Sequence, residues 1–367
     1  MTIFELIKKK AEETKSEQQQ MAVSNCVALF KTGSHLYGTS TPSSDTDFEG
    51  LFIEDPEYVV GTKRCEEVDF STGDDKKRNT SDDIDCKLYS LRKFFELTKQ
   101  ANPNKVEWFY IPENCFVYKN ERYWNNIVDN RDLFISLKLK HSFSGYAHSQ
   151  EHKLLTKKKR FTELTSFKQV LNESVPKGAR IIGDLYELFE DVPTKKYDKE
   201  SDKIVTLINK RLKYNYESVY YKKSEEGTDG IQVDSKYFNY GMPIEALLNY
   251  VNKEVDKYGQ RTRYIQEYGF DLKFSSHLFR LYYEGLQLLE EGKLDLPFTG
   301  EKQQFMIDIK SGKYSIDFLI SKYEELKPIL EIAYEKSKLR HSPNDKAISQ
   351  LQMKMHFNFW RDKNLIG

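Results

Sequence analysis

The chain has 367 residues, 57 Lys and Arg against 57 Asp and Glu, and a mean hydropathy of −0.70. The zero net charge excludes a global field that would draw in nucleic acid or membrane, so any polyanion site must be a local patch. An aromatic content of 14%, with 24 Tyr and 23 Phe, excludes the composition of a disordered chain, and the length suggests roughly two domains.

In chain order, residues 3–20 place Ile3, Leu6, Ile7 and Ala11 at helical spacing and predict an amphipathic helix. Ala22–Phe30 reads as an apolar strand ending in the turn Thr32-Gly33-Ser34, and Phe48–Ile53 reads as a second strand. Residues 63–82 are charged and turn-rich. Residues 83–89 alternate strictly, with Asp83, Asp85, Lys87 and Tyr89 on one face and Ile84, Cys86 and Leu88 on the other. Ser90 stands where an N-cap belongs, ahead of a helix whose stripe is Leu91, Phe94, Phe95 and Thr98, and Asn102-Pro103-Asn104 ends it.

Beyond about residue 120 the pattern turns helical, over 131–160, 178–191, 201–214, 243–258, 271–291, 302–311 and 315–337. A Tyr-, Lys- and Gly-rich stretch at 215–241 reads as an insertion or hairpin. The expected fold is therefore α+β. A domain over 1–125, a small mixed sheet flanked by helices, precedes a larger, mostly α-helical one over 126–367. No apolar run nears the roughly 20 residues of a membrane span. Residues 1–20 interleave acids with lysines and so lack the pattern of an export signal. The cysteines Cys26, Cys65, Cys86 and Cys115 are far apart, which suits reduced thiols and a cytoplasmic location.

The chemistry concentrates between residues 30 and 50. A strand delivers the chain into Gly33-Ser34, where bare backbone amides could approach an anion closely. If His35–Gly38 begin a helix, its amino end faces the same point. Asp45 and Asp47 follow, one residue apart at the edge of a strand, so period two puts both carboxylates on one face. Parallel carboxylates repel unless a cation lies between them, and Mg²⁺ takes such hard oxygen ligands while keeping places for phosphates. Mn²⁺ suits the same donors. A phosphate cradle beside paired carboxylates is equipment for phosphoryl or nucleotidyl transfer. A third carboxylate would come from the alternating strand at 83–89, from Asp85 deeper in the strand or from Asp83 on the same face.

These residues resemble the DNA polymerase β nucleotidyltransferase superfamily: an apolar strand, Gly-Ser, a spacer, then Asp-x-Asp. More narrowly, GSHLYGTSTPSSDTDFEG looks like the signature of the RNA-repair-pathway polymerase-β-like (RlaP) family of bacteria and phages. Supporting segments are Asp85 followed by Leu88-Tyr89-Ser90-Leu91-Arg92-Lys93-Phe94, then Asn102-Pro103-Asn104 and Glu107, Phe143-Ser144-Gly145-Tyr146-Ala147 with Gln150, and Lys273 with His277, Arg280 and Leu281. The resemblance implies metal-dependent transfer of a nucleoside monophosphate from an NTP such as ATP to an acceptor hydroxyl, releasing pyrophosphate. Gly33 and Ser34 would hold the β- and γ-phosphates, Asp45 and Asp47 both metals, and Asp85 the catalytic metal and the acceptor hydroxyl. Lys273 or Arg280 would neutralise the leaving pyrophosphate, the NTP lying in the cleft between the domains.

Other features carry two readings each. Lys273, His277 and Arg280 fall at i, i+4 and i+7 on one helix face, which suits either a solvated face or a clamp on the triphosphate, and Asp271 suits a helix cap. Lys153, Lys157, Lys158, Lys159 and Arg160 suit either a solvated helix end or a phosphate-backbone patch for an RNA or tRNA acceptor. Protein or small-molecule nucleotidylation and a non-catalytic NTP-binding role are the competing function classes. His35 and Tyr37 suit either a base and a stacker or residues that fix the loop by packing and hydrogen bonding, the second reading being favoured for His35.

Overall fold

A computed structural model describes residues 2–41, 44–71, 84–174, 178–184, 219–257, 267–268 and 270–366. The chain divides into two compact units, residues 1–150 with 275–367, and residues 151–274. The boundary expected near residue 125 from the change of pattern is not the line of this division. The carboxyl-terminal helices join the unit that contains the amino-terminal sheet, and both dividing lines fall inside helices.

In the first unit, α1 (Ile3–Thr14) and α2 (Glu17–Ser24) precede β1 (Cys26–Lys31). Two helices thus stand where one was expected, and the strand begins four residues later than Ala22. Ser16 caps α2 by accepting the Gln19 amide at 3.4 Å, which draws Met21, Ala22 and Val23 into the helix as its buried residues. β2 (Asp47–Phe52), α3 (Pro56–Val59), β3 (Glu67–Asp69) and β4 (Asp85–Ser90) follow. With β5 (Phe116–Lys119) the strands form one mixed sheet in the order β3-β4-β2-β1-β5, in which only β2 and β4 run parallel.

One face of the sheet, with Leu29, Phe52, Cys86 and Leu88, packs on Ile7, Ala11 and Ala22 of α1 and α2. The other face carries Phe30, whose ring meets Trp108 edge-on at 4.9 Å, while Phe94 of α4 (Leu91–Lys99) stacks on Trp108 at 5.0 Å. Ser90 caps α4 as expected, accepting the Lys93 amide at 3.2 Å, and Leu91, Phe94, Phe95 and Thr98 are its buried stripe. α5 (Pro103–Val106) and α6 (Glu121–Asp129) continue the unit.

α7 (Lys138–Ser174), α8 (Ile244–Asp256), α9 (Leu272–Glu291), α10 (Gly300–Lys310) and α11 (Ile316–Lys336) correspond to expected helices. α12 (Asp345–Asp362) was not anticipated; it buries Ile348, Met355, Phe359 and Trp360, while exposed Met353 and Phe357 blur its two-faced pattern. Of the segment expected at 215–241, the described residues from 219 on form an antiparallel meander of β6 (Val219–Lys223), β7 (Asp229–Val233) and β8 (Lys236–Asn239). In the second unit, Ile231, Val233 and Phe238 of this meander form a core with Leu164, Phe167, Leu247 and Val251. The expected helix at 201–214 lies outside the described residues, and 178–184 form a turn bridged at Ile181 to Pro243. Among the described residues no helix is long and apolar enough to cross a membrane.

Candidate active site

The amino-terminal ends of the two parallel strands bring the expected acids into register. Asp47 lies directly opposite Asp85, and Glu49 opposite Lys87. Directly opposed residues point to the same side of a sheet, so Asp47, Glu49, Asp85 and Lys87 share one face. Asp45 is exposed two residues ahead of β2, Asp47 is half-buried and Asp85 is exposed. The Ser71 hydroxyl donates to Asp85 Oδ1 at 3.0 Å and accepts the Cys86 amide at 3.3 Å, which orients one oxygen of that carboxylate. Asp83 lies outside the described residues.

The Gly33–Thr39 loop folds back beside this pair. Gly33 has φ of +61°, and a Cβ there would sit 3.2 Å from Asp47 Oδ2, so only glycine lets the backbone and this carboxylate approach without strain. The Thr32 amide donates to the Asp47 carbonyl at 2.9 Å, fixing the two segments together. Residues 33–38 form consecutive turns in place of a helix, with Thr39 N–H donating to Ser34 O at 2.9 Å. Gly38, at φ +68°, closes the turns: its left-handed backbone breaks the winding that a helix would need to continue, and a Cβ there would meet Pro297 Cβ at 2.8 Å. His35 Nε2 contacts Thr46 Oγ1 at 3.2 Å, tying the loop to the segment that carries Asp45 and Asp47.

The carboxyl-terminal helices of the same unit hold this loop in place. Gln303 Nε2 donates to Gly38 O at 2.7 Å, and Lys310 Nζ donates to the Thr39 hydroxyl at 2.8 Å and its carbonyl at 3.1 Å. Tyr37 is buried, and its hydroxyl donates to Glu107 Oε2 at 2.8 Å while accepting from the Arg280 guanidinium. Arg280 is 3% exposed and also reaches Glu107 at 2.7 Å, Glu284 at 3.4 Å and Asn104 Oδ1 at 2.9 Å. Its guanidinium is therefore committed inside the protein, where it was expected to meet a leaving pyrophosphate. Burial pushes the Glu107 carboxyl up and Glu284 up to about 8, against the pull of Arg280 on each.

Glu49 and Lys105 also belong to this face and were missed from the sequence. Lys105 Nζ donates to Glu49 Oε2 at 2.9 Å and lies 3.8 Å from the Tyr89 ring centroid and 4.2 Å from that of Trp108. Burial pulls the Lys105 ammonium below its ordinary value, opposed by Glu49. The alternation Asp45-Thr46-Asp47-Phe48-Glu49 is the signal that could have found the acid, whereas nothing local marks the lysine.

The remaining expected residues are placed elsewhere. Lys273 is exposed in the 151–274 unit, and its amide donates to Asp271 Oδ1 at 3.0 Å, so Asp271 is the cap of α9. Arg160 of the basic run is paired within its own unit with Asp234 and with Glu254 at 3.1 Å. Lys159 is exposed, while the side chains of Lys153, Lys157 and Lys158 lie outside those described.

Hard carboxylate oxygens at the ends of neighbouring strands suit Mg²⁺ or Mn²⁺ in donor chemistry. Among the described residues, however, no group of three or more His, Cys, Asp and Glu is already gathered to hold a metal ion. Asp47 and Asp85 are paired in register, while Asp45 lies two residues ahead of β2.

A mixed sheet that sets a Gly-Ser turn beside opposed aspartates is the arrangement on which the resemblance to polymerase-β-like proteins rests. Residues 5–171 match the family described as the RNA repair pathway DNA polymerase beta family, RlaP, which carries the resemblance for that stretch of the chain. The chain is also similar to an uncharacterized 38.9 kDa protein of Enterobacteria phage T4 from the nrdC-mobD intergenic region, with 29% identity over 336 residues, 90% of this chain and 93% of the phage protein. No solved structure shows significant similarity to the chain.

Proposed function

We propose that the chain is a metal-dependent nucleotidyltransferase that moves a nucleoside monophosphate from an NTP to a hydroxyl of RNA. The observation that carries this reading is the packing of the Gly33 turn against Asp47, itself in register with Asp85. Amides at Gly33 and Ser34 hold the β- and γ-phosphates, and the missing side chain of Gly33 leaves the triphosphate room beside the carboxylates. Asp45, Asp47 and Asp85 would hold Mg²⁺ or Mn²⁺, which neutralises charge on the phosphoryl oxygens when bound.

Asp85, its Oδ1 fixed by Ser71, takes the proton of the acceptor hydroxyl through its other oxygen. The acceptor oxygen then bonds to the α-phosphorus, the bond to the bridging oxygen breaks, and pyrophosphate leaves with that electron pair. Arg280 acts at a distance in this scheme, as a positioning residue that fixes Tyr37 and the loop. The scheme uses residues of the first unit alone. RNA is favoured as acceptor by the family's RNA-repair description.

The test is label transfer from each α-³²P NTP with Mg²⁺ or Mn²⁺ to total cell RNA and, separately, to total cell protein. Label on RNA that disappears in Asp45→Ala/Asp47→Ala supports the proposal. Label on protein alone would replace the acceptor, and transfer that survives the double substitution would sink the site.

A further inference from the structure

At the carboxyl ends of β2 and β4, five residues of rise from Asp47 and Asp85 and so about 17 Å away, the first unit contains a cavity of about 560 Å³. Its walls come from the segments around Glu54 and Arg64, the length of α4, Lys138 and the amino-terminal part of α12. Five cationic and four acidic side chains line it, and their pairing decides its character.

Lys93 pairs with Glu66 at 2.9 Å and Glu96 at 3.2 Å, and Lys99 pairs with Asp345 at 2.7 Å. Glu54 is 1% exposed and accepts from His356 Nε2 at 3.1 Å, while His356 Nδ1 donates to the Gln352 carbonyl at 2.9 Å. Glu54 is therefore already partnered, by His356.

Arg64, Arg92 and Lys138 remain. Among the described residues none of them has a carboxylate partner. Arg92 donates to the Tyr58 carbonyl at 3.1 Å, Arg64 to those of Gly61 and Lys63 at 3.0 and 2.8 Å, and Lys138 to that of Lys99 at 3.3 Å. Backbone carbonyls orient these cations without cancelling their charge. Two guanidiniums and an ammonium held this way are a pre-arranged receptor for phosphate oxygens, which guanidinium grips in pairs. Among the described residues no aromatic ring lines the cavity, so they offer no platform on which a nucleobase could stack.

We infer that this cavity is a second ligand site, separate from the carboxylates, which takes a phosphate chain through Arg64, Arg92 and Lys138. The chain could be a nucleic-acid backbone or a free polyphosphate, and the chemistry of recognition is the same. Its occupation needs no divalent cation, which distinguishes it from the proposed NTP site and makes the two readings independently testable.

The experiment titrates the full chain in EDTA with inorganic tripolyphosphate by calorimetry, and with a fluorescein-labelled 12-nucleotide single-stranded RNA by anisotropy. Wild type should bind at least one probe, and Arg64→Gln/Arg92→Gln should weaken it about 100-fold, roughly tenfold for each guanidinium. Asp45→Ala/Asp47→Ala should bind as wild type does. If the double arginine variant fails to fold, the exposed Arg64→Gln alone should still weaken binding about tenfold. Loss confined to the RNA arm assigns the site to a nucleic-acid backbone, and loss of tripolyphosphate binding assigns it to free polyphosphate as well. Failure of wild type to bind either probe, arginine variants as tight as wild type, or loss in the Asp45→Ala/Asp47→Ala variant would each overturn the inference.

Discussion

The two ends of the parallel pair β2 and β4 carry opposite chemistry on the same backbone. At the amino end, acids stand exposed or half-buried beside a glycine turn, with Asp47 opposite Asp85. At the carboxyl end, the acids are matched by Lys93, Lys99 and His356, and the surplus is cationic. The contrast separates two ways of handling phosphate: clustered carboxylates need a divalent cation before they tolerate it, whereas carbonyl-oriented guanidiniums accept it directly.

The largest effect that would break this contrast is at the amino end. Asp45→Ala/Asp47→Ala should lower nucleotidyl transfer by at least about 10³-fold, since it removes the groups that would hold charge at the reacting phosphate. Because both side chains reach solvent, thermal unfolding should stay within about 0.5 kcal/mol of wild type. A comparable loss of stability would recast these acids as structural.

The Gly33–Thr39 loop at the amino end depends on burial more than on charge count. Arg280→Ala leaves Glu107 and Glu284 without their shared cation in the interior and should destabilise the first unit by about 3–5 kcal/mol, measured by denaturant unfolding. Arg280→Lys, which keeps the charge but not the fork, should recover only part of that loss.

Gly33→Ala forces a side chain into left-handed backbone and against Asp47 Oδ2, and should cost about 1–2 kcal/mol in stability. It should weaken NTP binding while leaving the carboxyl-end cavity unaffected, which sharpens the separation of the two sites.

The smallest expected effect is a pH slope. The Glu284 carboxyl is pushed up to about 8 from 4.5 by burial, and Glu107 is raised as well, so the folded state holds protons that the unfolded chain releases. The stability contributed this way is full below about 4.5 and is lost as pH rises toward about 8. Melting temperature should therefore decline over that window in wild type, and less steeply in Glu284→Gln.

Much of the amino end was legible in the chain because its signals are local. Alternation in 83–89 placed Asp85 on a strand, Ser90 marked the start of α4, and Gly-Ser followed by Asp-x-Asp marked the turn and its acids. What failed to show depends on contacts between distant residues. Tyr37 meets Arg280 across 243 positions, and Glu54 meets His356 across 302, so neither pairing leaves a local pattern. Arg280 read as either a solvated cation or a clamp on the triphosphate because its helical spacing matched Lys273 and His277. Spacing reports which face of a helix a residue occupies, and cannot report that Glu107 and Glu284 cover that face. The meander at 219–239 was read as an insertion or hairpin, its third strand obscured by tyrosines and lysines on both sides.

The most direct test of the amino-end chemistry is Mn²⁺ binding followed by electron paramagnetic resonance, with a non-hydrolysable NTP analogue, in wild type and in Asp47→Ala and Asp85→Ala. The account predicts protein-bound Mn²⁺ that requires both aspartates and tightens when the analogue is added, while Arg64→Gln/Arg92→Gln leaves it unchanged. Binding of Mn²⁺ and analogue by the aspartate variants as tight as that of wild type would contradict it.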